Sequence, residues 1–199
     1  MQIIGGLMKV IKNYQSIEEP EQTLPFKELK DCHQEIKFMY VEATASFSKP
    51  KNVILDLIRE PGSLSKYHPF CKRNEAIEWP GNNSIDELEY HNGMTFSRNF
   101  FNWSDDGYDL VIGARKKMAL VNWIVSGDEC QSLLRVRINP EINNYVPVKN
   151  SILQTILWYL YVRPKLQSYI NHVLKGFEYY VYTNNTVKPN HFGKHSWFS

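Results

Sequence analysis

Apolar and polar positions follow two different periods along this chain. From Ser151 to Tyr182 the period is helical: Leu166, Tyr169, Ile170, Val173, Leu174 and Phe177 share one face, and Lys165, Gln167, Ser168, Asn171, Lys175 and Glu178 take the other. The stretch before it, Ile152–Val162, is apolar nearly all round and has to be covered on more than one side. The pattern predicts one long helix divided at Pro164. Its second half packs on the sheet as ordinary core, and its first half holds the excess apolar surface that a ligand or lid would cover.

Upstream the period falls to two. Asp31–Phe47, Glu75–Trp79, Ile85–His91, Met94–Trp103, Tyr108–Ala114, Met118–Val125 and Ser132–Ile138 are rich in β-branched and aromatic residues and read as strands. Pro80-Gly81-Asn82-Asn83, Ser104-Asp105-Asp106-Gly107 and Ser126-Gly127-Asp128-Glu129 separate them with turn chemistry, which makes neighbours antiparallel, and Asn92-Gly93 reads as a bend or bulge. In the last strand Leu134, Val136 and Ile138 alternate with Arg135 and Arg137, the mark of one covered and one wet face. After the first strand, Ser48 as N-cap, Pro50 in the first turn and an apolar stripe of Val53, Ile54, Leu57 and Ile58 predict a helix over 49–59, stopped by Pro61-Gly62. Leu64–Phe70 reads as a short helix or loop.

Strand, helix, five or six strands and a long helix make an α+β domain: a curved antiparallel sheet wrapped around a long C-terminal helix. Residues 1–33, punctuated by Pro20 and Pro25, read as an extension, and residues 184–199, with Pro189 and Gly193, as a flexible tail. The domain then spans 34–183.

Charge and cysteine content narrow the function classes. A net charge of +2 and the lack of a long basic block argue against a nucleic-acid partner, with Arg115-Lys116-Lys117 read as a solvated turn. Cys32, Cys71 and Cys130 are odd in number and widely spaced, which suggests reduced thiols and, with no secretory signal, a cytoplasmic address. Ile152–Val162 is well short of the roughly 20 residues of a membrane span. Aromatic residues at 14% fit either an aromatic core or an aromatic-lined cavity. No G-x-S-x-G, H-E-x-x-H or glycine-rich phosphate motif occurs, and His191 and His195, four apart, lie in a Gly/Pro-containing stretch unsuited to a metal. No cofactor, metal or catalytic residue is assigned.

The element order, together with three local segments, resembles the helix-grip or START-like (Bet v 1-like, SRPBCC) superfamily. Phe47-Ser48-Lys49-Pro50-Lys51-Asn52-Val53 is similar to its entry into the first helix, Ser65-Lys66-Tyr67-His68-Pro69-Phe70 to the signature that follows, and Arg163-Pro164-Lys165-Leu166 through Lys175-Gly176-Phe177 to its final helix. The resemblance covers about residues 34–183 and fits best the polyketide cyclase and lipid-transport branch. It implies a hydrophobic cavity between sheet and helix and, as partner, a lipid-, isoprenoid- or polyketide-like small molecule. The alternative it implies is a cyclase or dehydratase in the same cavity, using His68 or a tyrosine as acid/base.

On this reading the candidate ligand-binding residues are Tyr67, His68, Phe96, Arg98, Phe100, Trp123, Trp158 and Tyr169. His68 competes with a purely structural role. Arg98 could anchor a carboxylate or phosphate if the Phe96/Arg98/Phe100 face is concave, and the alternation leaves that open. Buried Tyr169 needs a partner for its hydroxyl, whether side chain, water or ligand. A third reading, docking on a membrane or partner through the extension, keeps a transient membrane contact open, as is the oligomeric state.

Overall fold

The computed structural model describes residues 39–199; the expected extension and the start of the first predicted strand lie outside them. Seven strands form one antiparallel sheet: β1 (Val41–Phe47), β2 (Cys71–Glu78), β3 (Ile85–Tyr90), β4 (Thr95–Ser104), β5 (Gly107–Gly113), β6 (Lys117–Gly127) and β7 (Ser132–Pro140). Their spatial order is β1-β7-β6-β5-β4-β3-β2, so each hairpin lies beside the next and the first strand closes against the last, Val41 opposite Ile138. Register shifts between Cys71 and Arg73, Ala76 and Glu78, Phe101 and Ser104, and Ile112 and Gly113 are bulges that bend strands. The sheet curves as the pattern predicted.

Helix α1 (Lys51–Arg59) follows β1, and the single turn α2 (Leu64–Tyr67) leads into β2. Ser48 does not cap α1. Pro50 occupies the N-cap position, the Lys51 amide donates to Asp128 O in the β6–β7 turn, and Ser48 N–H donates to the Tyr182 hydroxyl. The buried stripe is Ile54, Leu55 and Ile58, with Val53 facing solvent, so the helix is rotated from the predicted face by one position.

After the turn α3 (Ile142–Tyr145) the chain enters the long helix. It comprises α4 (Ser151–Leu157), a π-helical stretch Trp158–Val162, and α5 (Arg163–Thr183). Asn150 caps α4 by accepting from Leu153 N–H. Pro164 does not break the helix. The Arg163 amide reaches back five residues to Trp158 O, and this wider turn accommodates a residue that has no N–H and crowds the preceding turn. On α5, Leu166, Ile170, Val173, Leu174 and Phe177 are buried, the face read from the sequence. Each such side chain contributes roughly 1.5–3 kcal/mol when fully buried. Gly176 sits on the same face, where a Cβ would stand 2.0 Å from Tyr67 O. The helix rests directly on backbone at that point.

The segment 184–199 departs from the expected flexible tail. The chain turns at Asn184 in the left-handed region, then lies back along the domain, with Val187 N–H donating to Lys66 O and Asn190 N–H to Pro69 O. Val187, His195, Trp197 and Phe198 are buried. Glycine, proline and asparagine give this stretch the composition of a loop, while its pair of adjacent buried aromatic residues anchors it. Among the described residues no helix is long and apolar enough to cross a membrane.

Candidate functional site

Strand alternation sets the inner surface. On β4, Phe96, Arg98 and Phe100 are buried, which resolves the open register in favour of Arg98 on the concave face. On β6 and β7 the inward residues include Val121, Trp123 and Val136. A cavity of about 140 Å³ lies between this surface and α5. The helix contributes Leu166, Tyr169, Ile170 and Val173, and the 184–199 segment contributes Trp197 and Phe198. The lining is mostly apolar, with a polar edge built by two groups.

The first group is a hydrogen-bonded chain. Phe70 N–H donates to His68 Nδ1 at 3.2 Å, so that nitrogen carries the lone pair and the imidazole proton sits on Nε2. Nε2–H donates to the Tyr169 hydroxyl at 2.9 Å, and the Tyr169 and Tyr90 hydroxyls lie 2.8 Å apart. The second group pairs Arg98 with Asp86, direct neighbours across β3 and β4. Arg98 Nε–H donates to Asp86 Oδ1 at 2.7 Å, Nη2 to Oδ2, and Asn74 Nδ2 donates to Oδ2 at 3.0 Å. Both charges are buried, Asp86 to 1% exposure. The guanidinium on the concave face is therefore answered by an internal carboxylate, which the sequence pattern, leaving open whether Arg98 anchors a ligand's anionic head group, does not reveal.

Burial, followed by the charge of Arg98, pushes His68 down to about 3. Burial pushes Tyr169 up to about 12 and Tyr90 well above the usual phenol range, the latter helped by Tyr169. Cys71, also buried, rises to about 11. None of these groups changes charge near neutral pH.

The depressed histidine has a consequence for folding. In the unfolded chain His68 takes up a proton near its ordinary value of 6.5, while the folded protein resists protonation down to about 3. The folded state is thus fully favoured above pH 6.5 and loses stability as pH falls through that window, by up to ~1.4 kcal/mol per pH unit for one proton. Urea unfolding between pH 7 and pH 5 is expected to show this slope, and His68→Gln should flatten it. An unchanged slope in the variant would assign the acid sensitivity to other groups.

Of the residues singled out from sequence, His68, Phe96, Arg98, Trp123 and Tyr169 meet at the cavity. Tyr67, Phe100 and Trp158 are buried elsewhere. Tyr67 packs edge-on to Phe177 at 4.8 Å with its hydroxyl bonded to Ser63, and Phe100 joins the Trp79, Trp103 and Tyr108 cluster. The division of the long helix is the reverse of the expectation. The amphipathic half lines the cavity, whereas the all-round apolar half carries it beyond the lining, with Ile152, Ile156, Tyr159 and Leu160 exposed and Trp158 and Val162 buried.

Tyr90, Trp197 and Phe198 were missed. Tyr90 lies on the inward face of β3 with Asp86 and Leu88, a run in which the acidic residue obscured the alternation. His191 and His195 have separate partners, His191 lying tilted against the Tyr179 ring and His195 Nε2–H donating to Lys165 O.

A bent antiparallel sheet gripping a long helix over an apolar cavity defines the START-like, or Bet v 1-like, helix-grip fold, and this chain has it. Among solved structures it is similar to a START superfamily protein from Mycobacterium smegmatis, with TM-score 0.50 and 13% identity over 70% of this chain and 94% of that one. It is also similar to SSP2350 from Staphylococcus saprophyticus, with TM-score 0.52 and 9% identity over 76% and 97%. A third likeness, TM-score 0.48 and 11% identity over 74% of this chain, is to DynU16 of the dynemicin biosynthetic locus, of which this chain spans 49%. At these identities the likeness is one of fold. No protein-family model and no curated protein matches the chain.

Proposed function

We propose that this protein binds an apolar small molecule in the cavity between the concave sheet and α5, and holds or carries it without transforming it. The observation that carries this reading is the cavity itself, lined by aliphatic and aromatic side chains and closed on one side by Trp197 and Phe198. Apolar cavities of about this size stay dry and take up benzene-sized molecules. Burial of ligand surface supplies about 25 cal/mol per Å² before the costs of association.

The titration behaviour of the polar edge supports binding over acid–base chemistry. General catalysis works best with a group whose pKa lies near the operating pH. Here His68 stays neutral and the phenols stay protonated, which disfavours a cyclase or dehydratase that uses them as base.

Protein purified from its own host and sprayed under native conditions is expected to show a mass above that of the chain, and solvent extraction should release an apolar compound. Repeated preparations with the bare mass, together with no uptake of small aromatic probes, would overturn the binding reading.

A further inference from the structure

We infer that the molecule taken by the cavity is neutral and presents at least one acceptor oxygen of the carbonyl type, received by the Tyr90–Tyr169 phenols and the Trp197 indole. This rests on the binding reading above and adds the chemistry of the ligand's polar end.

Counting protons leads there. The chain of His68, Tyr169 and Tyr90 holds three donor hydrogens: one on Nε2, because Nδ1 is occupied by Phe70 N–H, and one on each phenol. It contains two internal contacts, each using one hydrogen. Whichever way the Tyr90–Tyr169 bond runs, one phenolic O–H is left over. Among the described residues neither phenol has a further hydrogen-bond partner, and both residues line the cavity. His68 cannot absorb the surplus, since its remaining nitrogen already accepts and its protonation is suppressed.

Trp197 supplies an independent observation. Its indole Nε1 is buried without a hydrogen-bond partner, on a residue of the cavity wall that is 7% exposed. The indole can only donate. Two unanswered donors therefore belong to one lining, and a buried unanswered donor is costly enough that structures rarely keep one.

Charge sets the other limit. The buried cation, Arg98, is already held by Asp86 through two hydrogen bonds, and Asn74 supports the same carboxylate. A carboxylate ligand would have to compete with Asp86 or bring an uncompensated charge into an apolar space. Asn144, at the edge of the lining, donates to Lys117 O. What the site asks for is an uncharged acceptor on an apolar body: a ketone, an ester or a similar carbonyl.

A pair of isosteres tests this on the full chain. Acetophenone and α-methylstyrene differ in C=O against C=CH₂, and benzoate adds a charge on the same ring. Affinities measured by calorimetry at pH 7 are compared with each neutral probe's partition from water into alkane. The ketone-to-alkene affinity ratio is expected to exceed the partition ratio by about tenfold or more. Benzoate should bind more weakly than acetophenone, and the carbonyl stretch of bound acetophenone should lie at lower wavenumber than in alkane.

Trp197→Phe and the double variant Tyr90→Phe/Tyr169→Phe should each shrink the ketone's advantage. A ratio equal to the partition ratio, a ketone advantage untouched by both variants, or tighter binding of benzoate overturns the inference while leaving the binding reading intact. Failure of both neutral probes to bind sinks the two together. The isostere ratio and the infrared shift are read on the unaltered chain, so they decide the matter even if a variant does not fold.

Discussion

Arg98→Leu is expected to cost about 3–5 kcal/mol of stability, because it strands the Asp86 carboxylate in the interior without its counter-charge. Asp86 is 1% exposed, so no water shell can replace the guanidinium, and Asn74 answers only one of its oxygens. The same reasoning makes the pair dispensable as a pair. Replacing both partners by apolar residues of similar volume is commonly neutral or stabilising, so Arg98→Leu/Asp86→Leu should recover most of the loss. Urea unfolding of the two variants at pH 7 gives the comparison. A single variant within about 1 kcal/mol of the parent would mean that the ion pair is solvated. A double variant as unstable as the single one would locate the loss in packing.

Gly176→Ala is expected to be the most damaging one-carbon addition on α5. The new Cβ would lie 2.0 Å from Tyr67 O and 3.2 Å from the Pro69 ring. The obstacle at 2.0 Å is a backbone carbonyl, which cannot swing aside as a flexible side chain would. Helix and loop have to separate, and overpacking of this kind typically costs about 1–3 kcal/mol, with backbone contacts toward the upper end. Alanine's better helix propensity returns only about 1 kcal/mol. The displacement would also reach His68, one residue beyond Tyr67, and with it the bond to Tyr169. Calorimetric unfolding together with the imidazole NMR shifts of His68 would reveal both effects. A variant of parental stability with unmoved resonances would contradict the close approach.

What the sequence made legible was the set of elements whose signals are local. Among the described residues, period-two runs located the strand ends to within four residues, and period 3.6 located the α5 face, because in both cases one side of the element is buried against a single neighbour. The concave side of β4 was not legible. Phe96 and Phe100 alternate with Ser97, Asn99 and Phe101, and the inward Arg98 looks polar until Asp86 is found across the strand. Trp158 misled for a related reason: an all-round apolar helix segment announces burial without saying against what. Trp197 and Phe198 were hidden by their neighbours, since glycine and proline describe the local backbone and say nothing of where two aromatic rings dock. The hydrogen-bonded chain joins residues 68, 90 and 169, and no local pattern encodes a contact across 79 or 101 positions.

The aromatic pair at 197 and 198 also bears on how such a protein changes over generations. One wall of the space between the sheet and α5 belongs to a separate segment, tied on by Asn190 N–H to Pro69 O, by His195 to Lys165 O and by Asn92 to Trp197 O. Those ties run through backbone carbonyls, which do not depend on side-chain identity at the carbonyl's own residue. Substitutions at 197 and 198 therefore reshape the chamber wall and loosen the anchor of their own segment, while the strand registers rest on pairings in which neither residue takes part. Changing the shape of the chamber by this route thus draws on the stability of the 184–199 segment and leaves the pairing of the sheet in place.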